Sequence, residues 1–347
     1  MKRALVVSGG GSKGAFAIGV VKQLFKQYPD LDFDIYVGTS TGSLIVPLIA
    51  MDEMALLEKL YTTVVTSDIV LEKRLGDAFV SDDSLFNSNP LLKLIRDNYT
   101  QEKLDQLQAS GKSIFLNTVC LQTSELVVYT NSQDAADGKY YRVKKLIDAD
   151  HMQKAVAASA SQPVFMHPIM IDVDVPGEQH PNRQYVDGGV REYAGVEMAI
   201  DNGATEIFTI LLSSGLPDEN EVEFAKTFSI LQKAMDIFIE DVGKNDLLIP
   251  QQYNEALAYI AAVKNKMKRD GVSADKINDY FTIRGRESPY EDKVPLKIFI
   301  IRPDAPLGGG PGGLTFDPME MKGMLAKGTR ATNDFIASLD PGDITWA

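Results

Sequence analysis

Two glycine-cornered turns near the start of the chain constrain its fold more than any other feature. An apolar run at residues 4–7 (ALVV) leads into a turn at residues 9–14 (GGGSKG), and a second run at residues 33–37 (FDIYV) leads into a turn at residues 38–42 (GTSTG). Each run is short, rich in branched or aromatic residues and followed by glycine, which is typical of a buried strand. An apolar stretch with helical patterning follows each turn. The order strand, helix, strand, helix predicts a parallel sheet with right-handed crossovers.

The second turn matches the pattern G-x-S-x-G, with Ser40 at its centre. Glycines on both sides of the serine relieve crowding at a strained corner between a strand and a helix. The serine hydroxyl is then exposed at a helix N-terminus, where developing negative charge is favoured. The first turn can supply unpaired backbone N–H groups, which stabilise the oxyanion of an acyl-transfer reaction. Together the two turns predict a serine hydrolase.

The composition excludes several other classes of function. The formal net charge of −13 argues against a nucleic-acid partner and against diffuse attraction to an anionic membrane. Cys120 is the only cysteine, so no intrachain disulfide forms, and its apolar neighbours predict a buried core residue. The apolar run after Arg3 is too short for a signal peptide, and no uncharged stretch is long enough for a transmembrane span. We therefore expect a cytoplasmic protein.

The middle of the chain continues the α/β pattern. The first two helices are predicted at residues 15–27 and 43–61. Residues 64–98 are irregular, and a surface excursion is favoured there over a lid across an active site. Residues 113–121 and 126–130 alternate or are β-branched, and the polar residues between them predict a hairpin turn.

The C-terminal part of the chain is predicted to be an excursion followed by a return to the sheet. Residues 221–290 form a mainly helical excursion with two apolar stripes at helical spacing, and Gly243 is placed to end the first helix. A returning strand and a C-terminal helix are predicted within residues 296–339. The glycine-rich run at residues 308–313 predicts a flexible loop. We expect residues 1–347 to form a single domain.

A serine nucleophile needs a base, and the chain offers few histidines for that role. They are His151, His167 and His180, and none follows Asp187 or lies in a glycine-rich corner. We interpret each as a surface or structural residue, with His180 the one to keep under consideration. Asp187 differs because it follows a short strand and projects from a tight turn formed by Gly188 and Gly189.

This combination of motifs resembles a known family. Residues 9–14, 38–42 and 187–189 (DGG), in this order, are similar to the three signatures of patatin-like phospholipases. The small residues at 157–160 before Pro163 add to the similarity, which extends over at least the first 212 residues. The resemblance implies an α/β fold, a three-layer α/β/α sandwich with a mainly parallel central sheet.

The resemblance also implies a mechanism and a substrate class. Ser40 would be the nucleophile and Asp187 the general base of a catalytic dyad that cleaves fatty-acyl esters, as a phospholipase A or lysophospholipase-type esterase does. No metal or other cofactor is implied, and the partner would be a phospholipid or another acyl-ester lipid met peripherally at a membrane surface. Lys13 stands where many members carry arginine, which makes it a candidate for binding a head-group anion. The oxyanion hole would come from Gly9, Gly10 and Gly11, and the motifs would be supported by Gly14, Gly38, Gly42, Gly188 and Gly189.

Two alternatives remain open at this point. The spacing of Gly9, Gly11 and Gly14 also satisfies the dinucleotide fingerprint, with Asp32 and Asp34 about 20 residues further on. In a dinucleotide-binding unit the acidic residue ends the second strand, whereas these two aspartates lie at its start, so this alternative is the weaker one. The other alternative is a catalytically silent or ligand-regulated patatin-like binding module, which the presence of both dyad residues disfavours.

Overall fold

The computed structural model describes residues 2–73, 82–216, 223–225, 227–283, 285, 290 and 293–340. Its strands are β1 (Lys2–Val7), β2 (Ile35–Thr39), β3 (Leu71–Glu72), β4 (Phe86–Asn87), β5 (Ser113–Cys120), β6 (Leu126–Thr130), β7 (Tyr141–Lys145), β8 (Tyr185–Asp187), β9 (Ala204–Ile210) and β10 (Lys297–Ile301). Its α-helices are α1 (Gly14–Gln27), α2 (Thr41–Ala50), α3 (Met54–Thr63), α4 (Asn89–Asn98), α5 (Gln101–Ala109), α6 (Ala149–Ser159), α7 (Val196–Asp201), α8 (Thr227–Arg269), α9 (Ala274–Phe281) and α10 (Pro318–Ala337).

Within the described residues, an eight-stranded mixed sheet forms the centre of the fold. Its order is β10-β9-β1-β2-β5-β6-β7, and β8 pairs with one end of β5. The strands from β10 to β5 are parallel to their neighbours, as are β6 and β7. Only the pairings of β5 with β6 and with β8 are antiparallel. The predicted hairpin between residues 113 and 130 is therefore confirmed.

Helices cover both faces of the sheet, as the alternation of side chains in β1 illustrates. Leu5 and Val7 belong to a core shared with α1, α2, α6 and α10. Ala4 and Val6 point the other way and belong to a second core with α7 and α8. Burial of both faces explains why the parallel strands are nearly continuous apolar runs. The predicted α/β/α sandwich with a mainly parallel sheet is confirmed.

The register of β5 brings two distant turns together. The first part of β5 pairs with β2, ending at Thr39 opposite Asn117. The next residue of β5, Thr118, is instead opposite Asp187 at the end of β8. Because Asn117 and Thr118 are consecutive, the turn that follows β2 and the turn that follows β8 meet beside one point of the sheet.

The helix predicted over residues 43–61 is two helices, α2 and α3. The break lies at residues 51–53, where Asp52 adopts a left-handed conformation with φ of 59°. The short connection turns α3 so that Leu57 and Tyr61 pack into the core that α1 and α2 share. The segment at residues 64–98 includes α4, whose Leu91 and Ile95 are buried, although residues 74–81 lie outside the described part.

The helical excursion also differs from its prediction. Residues 227–269 form one continuous helix, α8, in which Gly243 and Pro250 are internal. Gly243 does not end a helix: a Cβ atom there would lie 2.5 Å from Cδ1 of Tyr193, so its glycine allows an aromatic ring to approach the helix backbone. Parts of the prediction for residues 221–290, at positions 221–222, 226, 284 and 286–289, lie outside the described residues.

Candidate active site

Ser40 occupies a strained turn between β2 and α2. Its φ and ψ are 56° and −125°, and a non-glycine residue adopts a positive φ only where the surroundings hold it there. A Cβ atom on Gly42 would lie 2.0 Å from the Val7 carbonyl oxygen, and one on Gly38 would lie 2.6 Å from the Gly42 backbone. The glycines of the motif are therefore required by close backbone packing, which fixes Ser40 at the N-terminus of α2.

A buried hydrogen-bond network holds this turn against the sheet. The backbone N–H of Ser40 donates to the Ser159 hydroxyl over 3.1 Å. The Ser159 hydroxyl donates to the Asn117 carbonyl of β5 at 2.6 Å, and the Ser43 hydroxyl lies 2.6 Å from it. Ser159 belongs to the small-residue helix α6, which the sequence identified only as part of a family pattern. Its hydroxyl links α6, the serine turn and β5.

Asp187 lies at the end of β8 and faces Ser40. Its side chain is buried, and burial raises the pKa of its carboxyl group from 3.8 to about 6. Hydrogen bonds from the Ser40 hydroxyl and from the Gly189 N–H, the latter 2.8 Å long, act in the opposite direction and lower that pKa. A Cβ atom on Gly188 would lie 2.5 Å from the Asn117 carbonyl oxygen, so glycine is needed for the turn to pack on β5.

The glycine-rich turn after β1 passes directly beside Ser40. A Cβ atom on Gly9 would lie 2.9 Å from the Ser40 Cβ. Gly10 and Gly11 have φ values of 152° and 58°, which side-chain-bearing residues rarely adopt. Backbone N–H groups at the start of the following helical turn have no intrahelical acceptor. Lys13 lines the same cavity as Ser40.

A second glycine-rich loop supports the first one. A Cβ atom on Gly11 would lie 2.2 Å from the Gly313 carbonyl oxygen, and one on Gly313 would lie 2.2 Å from the Gly10 carbonyl oxygen. The two backbones are therefore in direct contact. The sequence predicted flexibility at residues 308–313, but their contact with the first turn makes them part of the wall of the site, a role that no local pattern indicates.

Ser40 and Asp187 line a cavity of about 250 Å³ whose other lining residues include a polar region and an apolar region. The polar region includes Gln162, Ser213, Ser214, Lys233, Asp236 and Glu240. The apolar region is formed mainly by α2, α3 and α4, with contributions from the loop before α10, and its residues are Leu44, Leu48, Leu57, Leu60, Val64, Ile69, Leu91, Leu94, Ile95, Met166, Leu314 and Phe316. The irregular segment after residue 64 thus supplies part of the cavity wall.

None of the three histidines lines this cavity. The ring of His151 is buried and lies 3.1 Å from the Asp172 carboxylate, inside a network with Tyr129 and Tyr185. His167 is 2.7 Å from Asp83 near the surface. His180, the histidine kept under consideration, is exposed. Their interpretation as structural or surface residues agrees with these positions.

Other groups considered from the sequence lie elsewhere. Asp32 and Asp34 precede β2, at the opposite end of that strand from the serine turn, and Asp34 accepts a hydrogen bond from the Arg3 N–H. Cys120 is buried, as predicted. Across the described ranges, no three or more histidine, cysteine, aspartate or glutamate side chains are grouped as they would be around a metal ion. No helix of the described part is sufficiently long and apolar to cross a membrane.

The fold is an α/β/α sandwich with a mainly parallel sheet, and Ser40 and Asp187 line a cavity in it. The family model for patatin-like phospholipase matches residues 5–200, more than half of the chain, and the protein belongs to this family. This membership supports hydrolase activity on lipid acyl esters in general. Among solved structures, the chain is similar to VipD from Legionella pneumophila, with a TM-score of 0.43 and 12% identity over 97% of this chain and 67% of that one. No curated protein matches.

Proposed function

We propose that this protein hydrolyses fatty-acyl esters of lipids through a covalent intermediate on Ser40, with Asp187 as the general base. The observation that carries the proposal is that Ser40 and the buried Asp187 line the same cavity beside an apolar wall, with the Ser40 hydroxyl close enough to lower the pKa of the Asp187 carboxyl group. An aspartate is a weak base in water, and a pKa near 6 makes this one a better proton acceptor at neutral pH.

The reaction proceeds in two steps. In the first, the Ser40 oxygen attacks the ester carbonyl carbon while Asp187 takes the hydroxyl proton, and Asp187 then returns that proton to the leaving alcohol. In the second step, Asp187 takes a proton from the water that attacks the acyl carbon. The bond between that carbon and the Ser40 oxygen then breaks, Asp187 returns the proton to the Ser40 oxygen, and the fatty acid is released. Backbone N–H groups of Gly10 and Gly11, with Gly9 shaping the turn, stabilise the oxyanion in both steps; one such donor typically contributes about 2.7–4 kcal/mol.

The apolar region is suited to the acyl chain. It follows α2 from Ser40 to Leu48, which at the helical rise corresponds to about 12 Å. An extended chain advances roughly 1.2 Å per bond, so a chain of about ten carbons fits along α2 before it meets α3 and α4. The polar region near Lys233 and Glu240 is then left for the head group and for water. We propose peripheral action at a lipid surface from the cytoplasm, without a metal or cofactor.

Reaction with a fluorophosphonate probe tests this function against a silent binding module or a dinucleotide-binding protein. We expect stoichiometric labelling of the intact protein, with the modified peptide containing Ser40. Prior incubation with a lysophospholipid should slow labelling, because the substrate occupies the same cavity. A protein that stays unlabelled while folded would contradict the proposal.

Lys13 is the candidate for binding a head-group phosphate. It lines the cavity close to the glycine turn, and within the described residues no carboxylate forms an ion pair with it. Its ammonium group lies at the N-terminal side of α1, where the helix dipole slightly disfavours a positive charge. A bound anion would offset this unfavourable interaction. Lysine offers a compact charge where arginine would bind two phosphate oxygens.

Substitution of Lys13 distinguishes a phosphate-binding role from a structural one. Lys13→Met is expected to lower kcat/KM for phospholipids about 10- to 150-fold, from the loss of a charged hydrogen bond of about 1.5–3 kcal/mol, with little change for p-nitrophenyl esters. Lys13→Arg should retain or improve phospholipid turnover. Lys22→Met, on the outer face of α1, is the matched control. Equal losses on both substrates would instead make Lys13 a support for the turn.

A further inference from the structure

Tyr193 connects three parts of the molecule at the site. Its hydroxyl donates to the Gly9 carbonyl oxygen over 2.9 Å, and its ring lines the cavity that contains Ser40. Its backbone N–H donates to the Asp246 carboxylate at 2.7 Å, and the N–H of the next residue, Ala194, donates to the same oxygen at 2.8 Å. The side chain is therefore fixed at its base by α8 and at its tip by the glycine turn.

The backbone of α8 completes this arrangement. Gly243 and Asp246 are one helical turn apart on α8, and a Cβ atom on Gly243 would overlap the Tyr193 ring. The absence of a side chain at Gly243 therefore leaves space for the Tyr193 ring, while Asp246 holds the backbone at Tyr193 and Ala194. Both residues lie beyond the part of the chain that matches the family model.

The hydrogen bond from Tyr193 is made to the peptide group between Gly9 and Gly10, whose N–H is a proposed donor to the oxyanion. The carbonyl of Gly9 and the N–H of Gly10 belong to the same peptide unit. A donor at the carbonyl oxygen withdraws electron density from the unit, so the N–H at its other end becomes a stronger donor, as in any hydrogen-bonded chain in a low-dielectric site. Burial raises the pKa of the Tyr193 hydroxyl, which therefore remains protonated and able to donate at neutral pH.

We propose that Tyr193 is a positioning residue for the oxyanion hole, in which its hydroxyl orients and polarises the Gly9–Gly10 peptide so that the Gly10 N–H binds the oxyanion. This inference rests on the proposed function of Ser40 and adds the dependence of that site on α8. A contact that matters only when the oxyanion is present stabilises the transition state and not the bound substrate, so its loss lowers kcat and leaves KM almost unchanged.

Tyr193→Phe removes the hydroxyl and keeps the ring. Loss of a hydrogen bond of this kind is expected to lower kcat about 2- to 13-fold, with KM within about twofold of the wild type. A trifluoromethyl ketone that forms a hemiketal with Ser40 places an oxyanion in the same position, so its Ki should rise by the factor by which kcat falls. Tyr141→Phe is the control, because the Tyr141 hydroxyl donates to Asp201 outside the cavity.

Gly243→Ala provides an independent test, since the added methyl group displaces the ring while Tyr193 is still present. It should also lower kcat and raise Ki, and it should have a smaller effect in the Tyr193→Phe background, because the two changes act on one contact. Unchanged kcat and Ki in Tyr193→Phe would overturn the inference and leave the proposed function intact. A lower kcat with an unchanged Ki would overturn it as well. A wild type without Ser40-dependent turnover would overturn both.

Discussion

Ser40→Ala is expected to lower kcat for p-nitrophenyl esters and for phospholipids by a factor on the order of 10⁴ to 10⁶, because removing the nucleophile disables the whole catalytic unit. Binding of substrate should be nearly unaffected, since the apolar region of the cavity does not include the Ser40 hydroxyl. The measurement is initial-rate kinetics on both substrate types. Mass spectrometry of lipids in a membrane extract incubated with each protein would identify which fatty acids the wild type releases and Ser40→Ala does not.

The fold should survive this substitution. Alanine and serine have similar costs at the positive φ of position 40, and the Ser40 hydroxyl does not cap α2. Ser338→Ala, at the C-terminal end of α10, removes an exposed hydroxyl and is the matched control. Undiminished esterase activity in a pure, folded Ser40→Ala preparation would refute the assignment of the nucleophile.

Asp187→Asn is expected to be nearly as damaging as Ser40→Ala, because asparagine fills the same space but cannot accept the proton. In the wild type, kcat/KM should rise with pH through an apparent pKa near 6, the value that burial gives this carboxyl group. The base is active only as the carboxylate, so activity is lost as the pH falls below that value. Measurement of kcat/KM from about pH 4.5 to about pH 8 tests the assignment, and that acid limb should disappear from any residual activity of Asp187→Asn.

The same substitution is expected to stabilise the fold at neutral pH. The pKa of Asp187 is about 6 in the folded protein, above its ordinary 3.8, so the folded state holds an extra proton between these values. The free energy of unfolding therefore falls as pH rises through this window, by up to about 3 kcal/mol. The asparagine side chain of the variant cannot ionise, so the variant avoids that loss. Chemical denaturation should show Asp187→Asn to be more stable than the wild type at about pH 8, with the difference shrinking toward pH 4.

Histidine variants separate a dyad from a triad. His151→Ala removes one of several partners of Asp172 and should cost stability, but it should leave the pH dependence of turnover unchanged. His167→Ala and His180→Ala should be mild in both respects, since both rings are exposed. Near-complete loss of turnover in folded His180→Ala, together with normal activity in Asp187→Asn, would show that the base is assigned to the wrong residue.

Local sequence patterns were sufficient to predict the strands and helices on either side of the two glycine-containing turns. Residues 9–14 and 38–42 each combine a short apolar strand with glycines that only a tight corner requires, and both corners are observed. The hairpin of β5 and β6 and the helix at the C-terminus were predicted for the same reason. Hydrophobic periodicity and glycine placement depend on neighbours close in the chain, so one sequence contains enough information to predict them.

The same local patterns failed where distant contacts decide the outcome. A glycine such as Gly243 often ends a helix, yet this one lies inside α8. The absence of a side chain there makes room for the ring of Tyr193. Residues 308–313 have the composition of a flexible loop, yet they pack backbone to backbone against Gly10 and Gly11. In each case glycine is required because a residue far away in the chain packs against its backbone. A single sequence does not show which distant residues are close in space.

The chemical groups of the candidate site could be identified from local motifs: a serine at a glycine-flanked corner, an aspartate before two glycines and a glycine turn after the first strand. How these groups come together depends on the packing of the whole fold. Pairing of β2 and β8 with consecutive residues of β5 brings Asp187 to Ser40, and burial there changes the pKa of the carboxyl group. The packing of the fold also places α3, α4 and α8 around the cavity. Strand register and burial arise from packing over the whole chain, which local patterns do not encode.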